Sequence, residues 1–177
     1  MAKSQVAIIC GSDSDLPVLQ SATKTLDEFD VAYDLKVLSA HRTPEPLDEY
    51  LKAIEGKTIK VLICAAGMAA HLAGAVAAKT TLPVIGLPMS SPPFDGLDSL
   101  LSTVQMPPGV PVLTVTAGKA GATNAALAAV QILATNDAAL RRKLKSHRGK
   151  MKKTILAKNE RLTELGIEEY VRKHGRK

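Results

Sequence analysis

A histidine and an arginine stand side by side in the segment Ser39-Ala-His41-Arg42-Thr43-Pro44. The planar guanidinium of arginine matches the geometry of phosphate and carboxylate groups, and an imidazole can transfer protons near neutral pH. The pair lies between an apolar run and Pro44, a proline that can begin a helix. Packing of the core does not explain two such polar side chains at this place. The simpler alternative is that both side chains are merely exposed on a loop. The pair predicts a site for an anionic ligand, with His41 as its acid and base.

A second segment of small polar residues, Gly11-Ser-Asp-Ser-Asp15, precedes Pro17. Hydroxyl groups and backbone N–H groups at the start of a helix can bind an anion. The alternative is that Ser14 or Asp15 only caps the helix, a position that both residue types favour. The segment contains neither the GK[ST] of a Walker A motif nor GxGxxG, so an ATP or dinucleotide site is disfavoured.

A third segment, Ala65-Ala-Gly67-Met-Ala-Ala-His71-Leu-Ala-Gly74, combines small residues with one histidine. Small side chains let the backbone approach a flat ligand closely. His71 is therefore a further candidate for the site, although a core histidine bonded to the backbone is an equal alternative. The other histidines, His147 and His174, lie in a basic tail and receive no role.

All three segments follow short apolar runs that are typical of buried parallel strands. Strands are predicted at 6–10, 33–38, 60–65, 83–87 and 111–115, and helices at about 17–29, 44–54, 69–79, 97–104 and 121–135. This alternation predicts a parallel sheet with right-handed crossovers. Ligands of such sheets bind beyond the carboxyl ends of the strands, so the three segments should meet at one edge. They predict a pocket for a small anionic ligand, such as a phosphorylated one, with a histidine and no metal cluster.

The composition narrows the class of protein. Apolar residues make up 46% of the chain and aromatic residues 3%, so the core must consist mainly of Ala, Val, Leu and Ile. The shortage of aromatic side chains argues against a nucleic-acid stacking platform. Cys10 and Cys64 lack metal-ligand spacing and are predicted to be buried, reduced thiols of a cytoplasmic protein. We expect no signal peptide and no membrane span, because glycines and His71 interrupt the apolar stretch 61–78.

The net charge of +6 is unevenly distributed. Residues 1–136 carry 9 basic and 12 acidic side chains, whereas residues 137–177 carry 14 basic and 5 acidic ones. Apolar residues of the second segment recur at helical spacing, at Leu140, Leu144, Met151, Ile155 and Leu162. We predict one α/β catalytic domain over 1–136. Residues 137–177 should form a basic amphipathic helix that packs on its own or a neighbouring subunit, in preference to binding nucleic acid. Residues 88–98 form the one long Pro-, Gly- and Ser-rich loop, which is typical of a functional or interface-forming segment.

Several motifs together resemble those of one enzyme family. They are GSDSD at 11–15, SAHRTP at 39–44, AAGMAAHLAG at 65–74, GLDSLLSTVQMPPGVPV at 96–112 and GKAGATNAALAAVQIL at 118–133. In this order they resemble the class I carboxyaminoimidazole ribonucleotide mutases, the catalytic subunits of phosphoribosylaminoimidazole carboxylase, over about residues 5–135. SAHRTP and GLDSLLSTVQMP are the most specific of these motifs.

The resemblance implies a three-layer, flavodoxin-like fold with strand order 2-1-3-4-5 in a homo-octamer, as well as a cytoplasmic location. It implies conversion of N5-carboxyaminoimidazole ribonucleotide to its C4-carboxylated isomer in purine biosynthesis, without any cofactor. It also implies functional coupling to an ATP-dependent synthetase that makes this substrate. His41 matches the general acid and base of the family. The implied substrate-binding residues are Ser12, Asp15, Ser39 and Arg42 for the ribose phosphate, and Ala66, Gly67, Ala69, Ala70, His71 and Leu72 around the base and the migrating carboxylate.

Two positions depart from the family pattern, since Met68 stands where glycine is common and Ala73 where proline is common. Met68 could narrow the pocket or occupy a backbone position with positive φ. A rival within the family is the class that carboxylates aminoimidazole ribonucleotide with free carbon dioxide, but its loop generally has Lys at the position of Arg42. A non-catalytic flavodoxin-like module is the more distant alternative. It is disfavoured because the chain lacks aromatic side chains to sandwich a flavin and has Cys64-Ala65-Ala66 where a receiver domain needs an acidic residue.

Overall fold

A computed structural model describes residues 3–175 of the chain. The chain divides into two compact units, residues 1–136 and residues 137–177. The outermost residues of both units, 1–2 and 176–177, lie outside the described residues. The packing of the second unit on its own or a neighbouring subunit stays a prediction.

The first unit contains a five-stranded parallel sheet with the order β2-β1-β3-β4-β5. Its strands are β1 Val6–Cys10, β2 Tyr33–Val37, β3 Val61–Ala66, β4 Val84–Pro88 and β5 Leu113–Thr114. Strands β1, β3 and β4 are almost wholly buried, as expected for apolar strands that are covered on both faces. The predicted parallel sheet and its strand order are confirmed.

Five helices surround this sheet: α1 Leu16–Glu28, α2 Pro44–Ile54, α3 Leu72–Ala77, α4 Leu97–Val104 and α5 Gly118–Ala134. Helices α2 and α3 share a core with one face of the sheet. Successive residues of β4 point to opposite faces of the sheet, so their contacts show which helices lie on each face. A Cβ at Gly86 would lie 2.4 Å from Thr103 of α4 and 3.4 Å from Ala73 of α3, whereas Leu87 approaches Gly121 of α5. Helices therefore cover both faces, which gives the predicted three-layer, flavodoxin-like fold.

Two predicted elements are shorter in the structure. Strand β5 is confined to two residues within the predicted 111–115, in a region rich in proline, which cannot donate a ladder hydrogen bond. Helix α3 begins at Leu72 instead of residue 69, because the chain first makes a tight turn in which Met68 has a φ of 55°. That turn lies at the edge of the sheet where the predicted site should be.

The second unit is the helix α6, Ala138–His174, which confirms the helix predicted for this segment. Asp137 caps it, because its carboxylate accepts hydrogen bonds from the N–H groups of Ala139 and Leu140. These bonds, that of Leu140 foremost, lower the pKa of Asp137. The helix is broken at Gly166, which has a φ of 71°. Met151, Ile155 and Leu162 of the predicted apolar pattern are exposed.

Within residues 3–175, none of the helices combines the length and the apolar character needed to cross a membrane.

Candidate active site

A cavity of about 700 Å³ opens at the carboxyl edge of the sheet in the first unit. The three segments singled out in the sequence all contribute to its wall, as the geometry of parallel sheets predicts. The loop after β4 contributes as well. The lining residues are Gly11, Ser12, Ser14, Asp15, Val18, Ser39, Ala40, His41, Arg42, Ala66, Gly67, Met68, Ala69, His71, Leu72, Met89, Ser90 and Ser91.

The two histidines of the cavity are bonded to each other. Nε2 of His41 lies 2.7 Å from Nδ1 of His71, and the ring planes are inclined by 74°. A hydrogen bond between two imidazole nitrogens requires one proton between them, so one ring donates and the other accepts. The pair can hold a proton within the cavity and pass it on.

The loop that carries His41 is organised by Ser39 and Thr43. The Ser39 hydroxyl accepts hydrogen bonds from the backbone N–H groups of His41 and Arg42, at 3.3 and 3.2 Å. The Thr43 hydroxyl in turn accepts from the Ser39 N–H at 2.8 Å. Pro44 then opens α2, as its position at the start of a helix favours. These bonds fix the loop so that both functional side chains face the cavity.

Arg42 joins this loop to the segment after β1. Its guanidinium donates a hydrogen bond to the carbonyl oxygen of Gly11 and acts electrostatically on the carboxyl of Asp15. Burial nevertheless raises the pKa of Asp15 above its ordinary value, against the lowering effects of the Ser12 backbone and Arg42. The cavity thus brings a fixed cation, an acidic group and small hydroxyls together, which suits a phosphorylated sugar.

The third segment gives the cavity a wall of small side chains. Ala66, Gly67 and Ala69 line it, and Leu72 of α3 lies beneath them, almost wholly buried. Met68 also belongs to this wall and is 66% exposed. Such a wall offers neither a nucleophile nor a charged group to a reactive intermediate.

The structure decides two alternatives that the sequence leaves open. His71 is exposed and bonded to His41, so the interpretation as a core histidine bonded to the backbone is wrong. The Ser14 and Asp15 side chains make no capping bond to α1; the Ser12 hydroxyl instead accepts from the Ser14 N–H in a short 3-10 turn, Asp13–Asp15. Asp15 therefore remains available to a ligand.

The predicted site residues come together in this cavity, with one exception. Ala70 is buried and does not line it. Met89, Ser90 and Ser91 also line the cavity but were not predicted as site residues; they follow β4 and belong to the same edge of the sheet. The signal was present, because these residues begin the Pro-, Gly- and Ser-rich loop 88–98. Among the residues that the structure describes, no three His, Cys, Asp or Glu side chains are grouped as metal ligands.

Comparisons with known proteins agree on one family. The model of the AIR carboxylase family matches residues 5–154. The N5-carboxyaminoimidazole ribonucleotide mutase of Pyrococcus abyssi is 53% identical over 167 residues, which cover 94% of this chain and 95% of that protein. The mutase of Bacillus subtilis is 53% identical over 89% of this chain and 97% of its own length.

A solved structure supports the same grouping. The crystal structure of Treponema denticola PurE has a TM-score of 0.83 and 28% sequence identity, and covers 90% of this chain and 99% of its own. Fold, cavity residues and sequence matches over most of the chain thus lead to one conclusion: this chain belongs to the AIR carboxylase family.

Proposed function

We propose that the chain is an N5-carboxyaminoimidazole ribonucleotide mutase, an isomerase of purine biosynthesis. Relatives with this activity in their names are 45–53% identical to it over most of their length. The observation that carries the proposal within the structure is the His41–His71 hydrogen bond, in a cavity that also contains Arg42. The histidine pair can donate and accept a proton, and Arg42 supplies a cation for an anionic nucleotide.

The chemistry needs two proton transfers. Protonation of N5 breaks the carbamate C–N bond, whose electron pair stays on N5, and carbon dioxide is released. C4 of the imidazole then attacks the carbon of carbon dioxide, and loss of the C4 proton restores aromaticity. A histidine that first donates and then accepts serves both steps. We assign this role to His41, with His71 as its hydrogen-bond partner.

The remaining cavity residues divide by chemistry. Arg42, Ser12 and Asp15 are proposed to hold the ribose phosphate, because they supply a cation, a hydroxyl and an acceptor for sugar hydroxyls. Ser39 supports them by fixing the loop. The remaining lining residues of the proposed site surround the base and the carboxylate in transit: Ala66, Gly67, Ala69, His71 and Leu72. The buried Ala70 lies between Ala69 and His71 in the chain and does not reach the cavity.

Conversion of N5-carboxyaminoimidazole ribonucleotide to its C4 isomer by the purified protein tests the proposal. We expect rapid turnover by the wild type and a loss of about a thousandfold or more in His41→Asn. His174→Asn is the matched control, since His174 lies in α6 beside Tyr170 and outside the cavity. Substantial turnover in His41→Asn would mean that another group moves the proton.

The carboxylase alternative is tested by supplying each substrate separately. A mutase converts the carbamate and is slow with aminoimidazole ribonucleotide and carbon dioxide. The opposite pattern would replace the proposed activity with that of the second class.

We further infer that the protein is a cytoplasmic homo-octamer that needs no cofactor and receives its unstable substrate from an ATP-dependent synthetase. Self-association is supported by the exposed apolar side chains of α4, namely Leu97, Leu101 and Val104. Independence of a metal ion predicts that dialysis against EDTA leaves kcat unchanged, and independence of an organic cofactor predicts that kcat survives gel filtration in plain buffer.

A further inference from the structure

Met68 has a positive φ and an exposed side chain in the cavity wall, and both properties are unusual for a methionine. Its φ of 55° lies in the left-handed region, which L residues with long side chains rarely adopt. The other non-glycine residues with positive φ in the described part of the chain are Asp30 and Asp95, and aspartate tolerates this region much better. Strained backbone conformations of this kind persist where the surrounding structure enforces them, often at functional sites.

The surrounding backbone fixes the turn that carries Met68. On one side, the carbonyl oxygen of Ala66 accepts a hydrogen bond of 2.9 Å from the Met89 N–H. On the other side, the His71 N–H donates to the carbonyl oxygen of Ala69 at 2.8 Å. Met68 lies between these two bonds, so the turn places its side chain in the wall of the cavity that contains both histidines.

Met68 is also the one long side chain among residues 66–69 of the cavity wall, and it is exposed, whereas the neighbouring Leu72 and Met89 are buried. The side chains of Ala66 and Ala69 end at Cβ, and Gly67 has none. With 66% of its surface exposed, Met68 makes few contacts of its own. A thioether chain with three rotatable bonds can adapt to an aromatic ring and contact it favourably.

We propose that Met68 closes over the imidazole of the bound substrate and retains carbon dioxide until C4 attacks it. This inference rests on the proposed function. After the carbamate C–N bond breaks, carbon dioxide either adds to C4 or escapes. Addition is followed by transfer of the C4 proton to His41, whereas escape leaves aminoimidazole ribonucleotide as the product. An apolar cover excludes water and lowers the rate of escape relative to addition.

Isotope retention measures this competition directly. N5-carboxyaminoimidazole ribonucleotide labelled with ¹³C in its carboxylate is converted in unlabelled bicarbonate buffer, and the ¹³C content of the product is read by mass spectrometry. Released aminoimidazole ribonucleotide is quantified in the same samples. A reaction without enzyme corrects for spontaneous loss of the carboxylate.

Three variants separate the reach of the side chain from the backbone strain. Met68→Gly removes both, Met68→Ala keeps the strained position but not the reach, and Met68→Leu keeps both. We expect high retention in the wild type and in Met68→Leu, and a loss of roughly half of the label or more in the Gly and Ala variants. Glycine suits a positive φ, so Met68→Gly should fold at least as well as the wild type.

Unchanged retention in Met68→Ala and Met68→Gly would overturn the inference, even if kcat falls. A shift in sedimentation of these variants with unchanged retention would assign Met68 to contacts between subunits instead. Failure of the wild type to convert the carbamate at all would remove the proposed function and this inference together.

Discussion

The carboxyl group of Asp15 is half-buried at the cavity, where burial raises its pKa. A carboxyl whose pKa is higher in the folded chain than in the unfolded chain favours the folded state most below its ordinary pKa. This contribution is lost as the pH rises through the raised value. At neutral pH the ionised Asp15 is therefore less favourable to the folded state than a protonated carboxyl would be. Its proposed contact with the ribose hydroxyls gives a functional reason for an acidic residue at this position.

Asp15→Asn should accordingly raise the melting temperature at pH 7. The difference from the wild type should shrink as the pH falls through the raised pKa of the Asp15 carboxyl, because that carboxyl then becomes protonated in the wild type. The same variant should have a higher KM, since the amide is a weaker acceptor for sugar hydroxyls. Thermal melts at several pH values and steady-state kinetics check both expectations. A lower melting temperature at pH 7 would contradict the assigned sign.

His71 is expected to act on the reaction through His41 as well as by lining the cavity. His71→Leu removes the hydrogen bond to Nε2 of His41, whereas His71→Asn retains a polar atom near the position of Nδ1. We expect kcat to fall roughly a hundredfold in the Leu variant, because the His41 ring is no longer held, and to recover partly in Asn. Equal kcat values for the two variants would exclude this positioning role. The KM values distinguish it from substrate binding.

At the scale of elements, the first turn of α5 depends on a glycine. A Cβ at Gly121 would lie 1.6 Å from the carbonyl oxygen of Thr116 and 2.8 Å from Leu87 of β4. Leu87 is buried in the sheet, and the nearer contact is with the Thr116 backbone, which cannot rotate away. The sheet and α5 can approach this closely because residue 121 has no side chain.

Gly121→Ala should therefore lower the free energy of unfolding by about 1–3 kcal/mol or more. Gly149→Ala is the matched control, because a Cβ at Gly149 of α6 meets no atom within 4 Å. Alanine in this helical position should stabilise α6 by about 0.5–1 kcal/mol. Chemical denaturation of the Gly121 variant and thermal loss of helicity in the Gly149 variant provide the measurements. Similar effects of the two substitutions would contradict the close approach of α5 to the sheet.

The sequence was sufficient to predict elements whose signals are local. Strand β1 and helices α2 and α4 have the predicted bounds. An apolar run that ends before a glycine fixes β1, and a proline at the helix start fixes the beginning of α2. The predicted start of α3 was wrong by three residues. The turn at Met68 is held in part by a hydrogen bond from the Met89 N–H to the carbonyl oxygen of Ala66. Met89 lies far along the chain, so a local sequence pattern does not predict this bond.

At the scale of the whole molecule, the sheet order explains why the site was partly predictable. His41 follows β2 and His71 follows β3, and both strands neighbour β1. The sequence therefore predicts that both histidines lie at one edge. Their direct contact across the end of β1 depends on side-chain torsion angles, which spacing along the chain does not determine. The loop after β4 was predicted to be a functional or interface-forming segment, but its residues carry no motif that assigns them to this site.

The inferred assembly is also tested at this scale. Sedimentation should show a species of eight times the mass of one chain. Leu101→Asp places a charge on the exposed apolar face of α4 and should shift the protein toward smaller species without unfolding it. Gln20→Asp, at an exposed position of α1, is the control. A wild-type chain that sediments as a monomer would contradict the octamer.

The two cysteines have a practical consequence for such measurements. Burial, together with Asp15 and Asp13, raises the pKa of Cys10 to about 11, and burial also raises the pKa of Cys64. Both thiols are therefore protonated at neutral pH and react slowly with maleimides, which attack the thiolate. A cysteine introduced at the exposed Ser146 of α6 would take up a fluorophore selectively in the otherwise native sequence. The burial of both native thiols in the sheet thus makes the protein suitable for labelling at a single introduced cysteine.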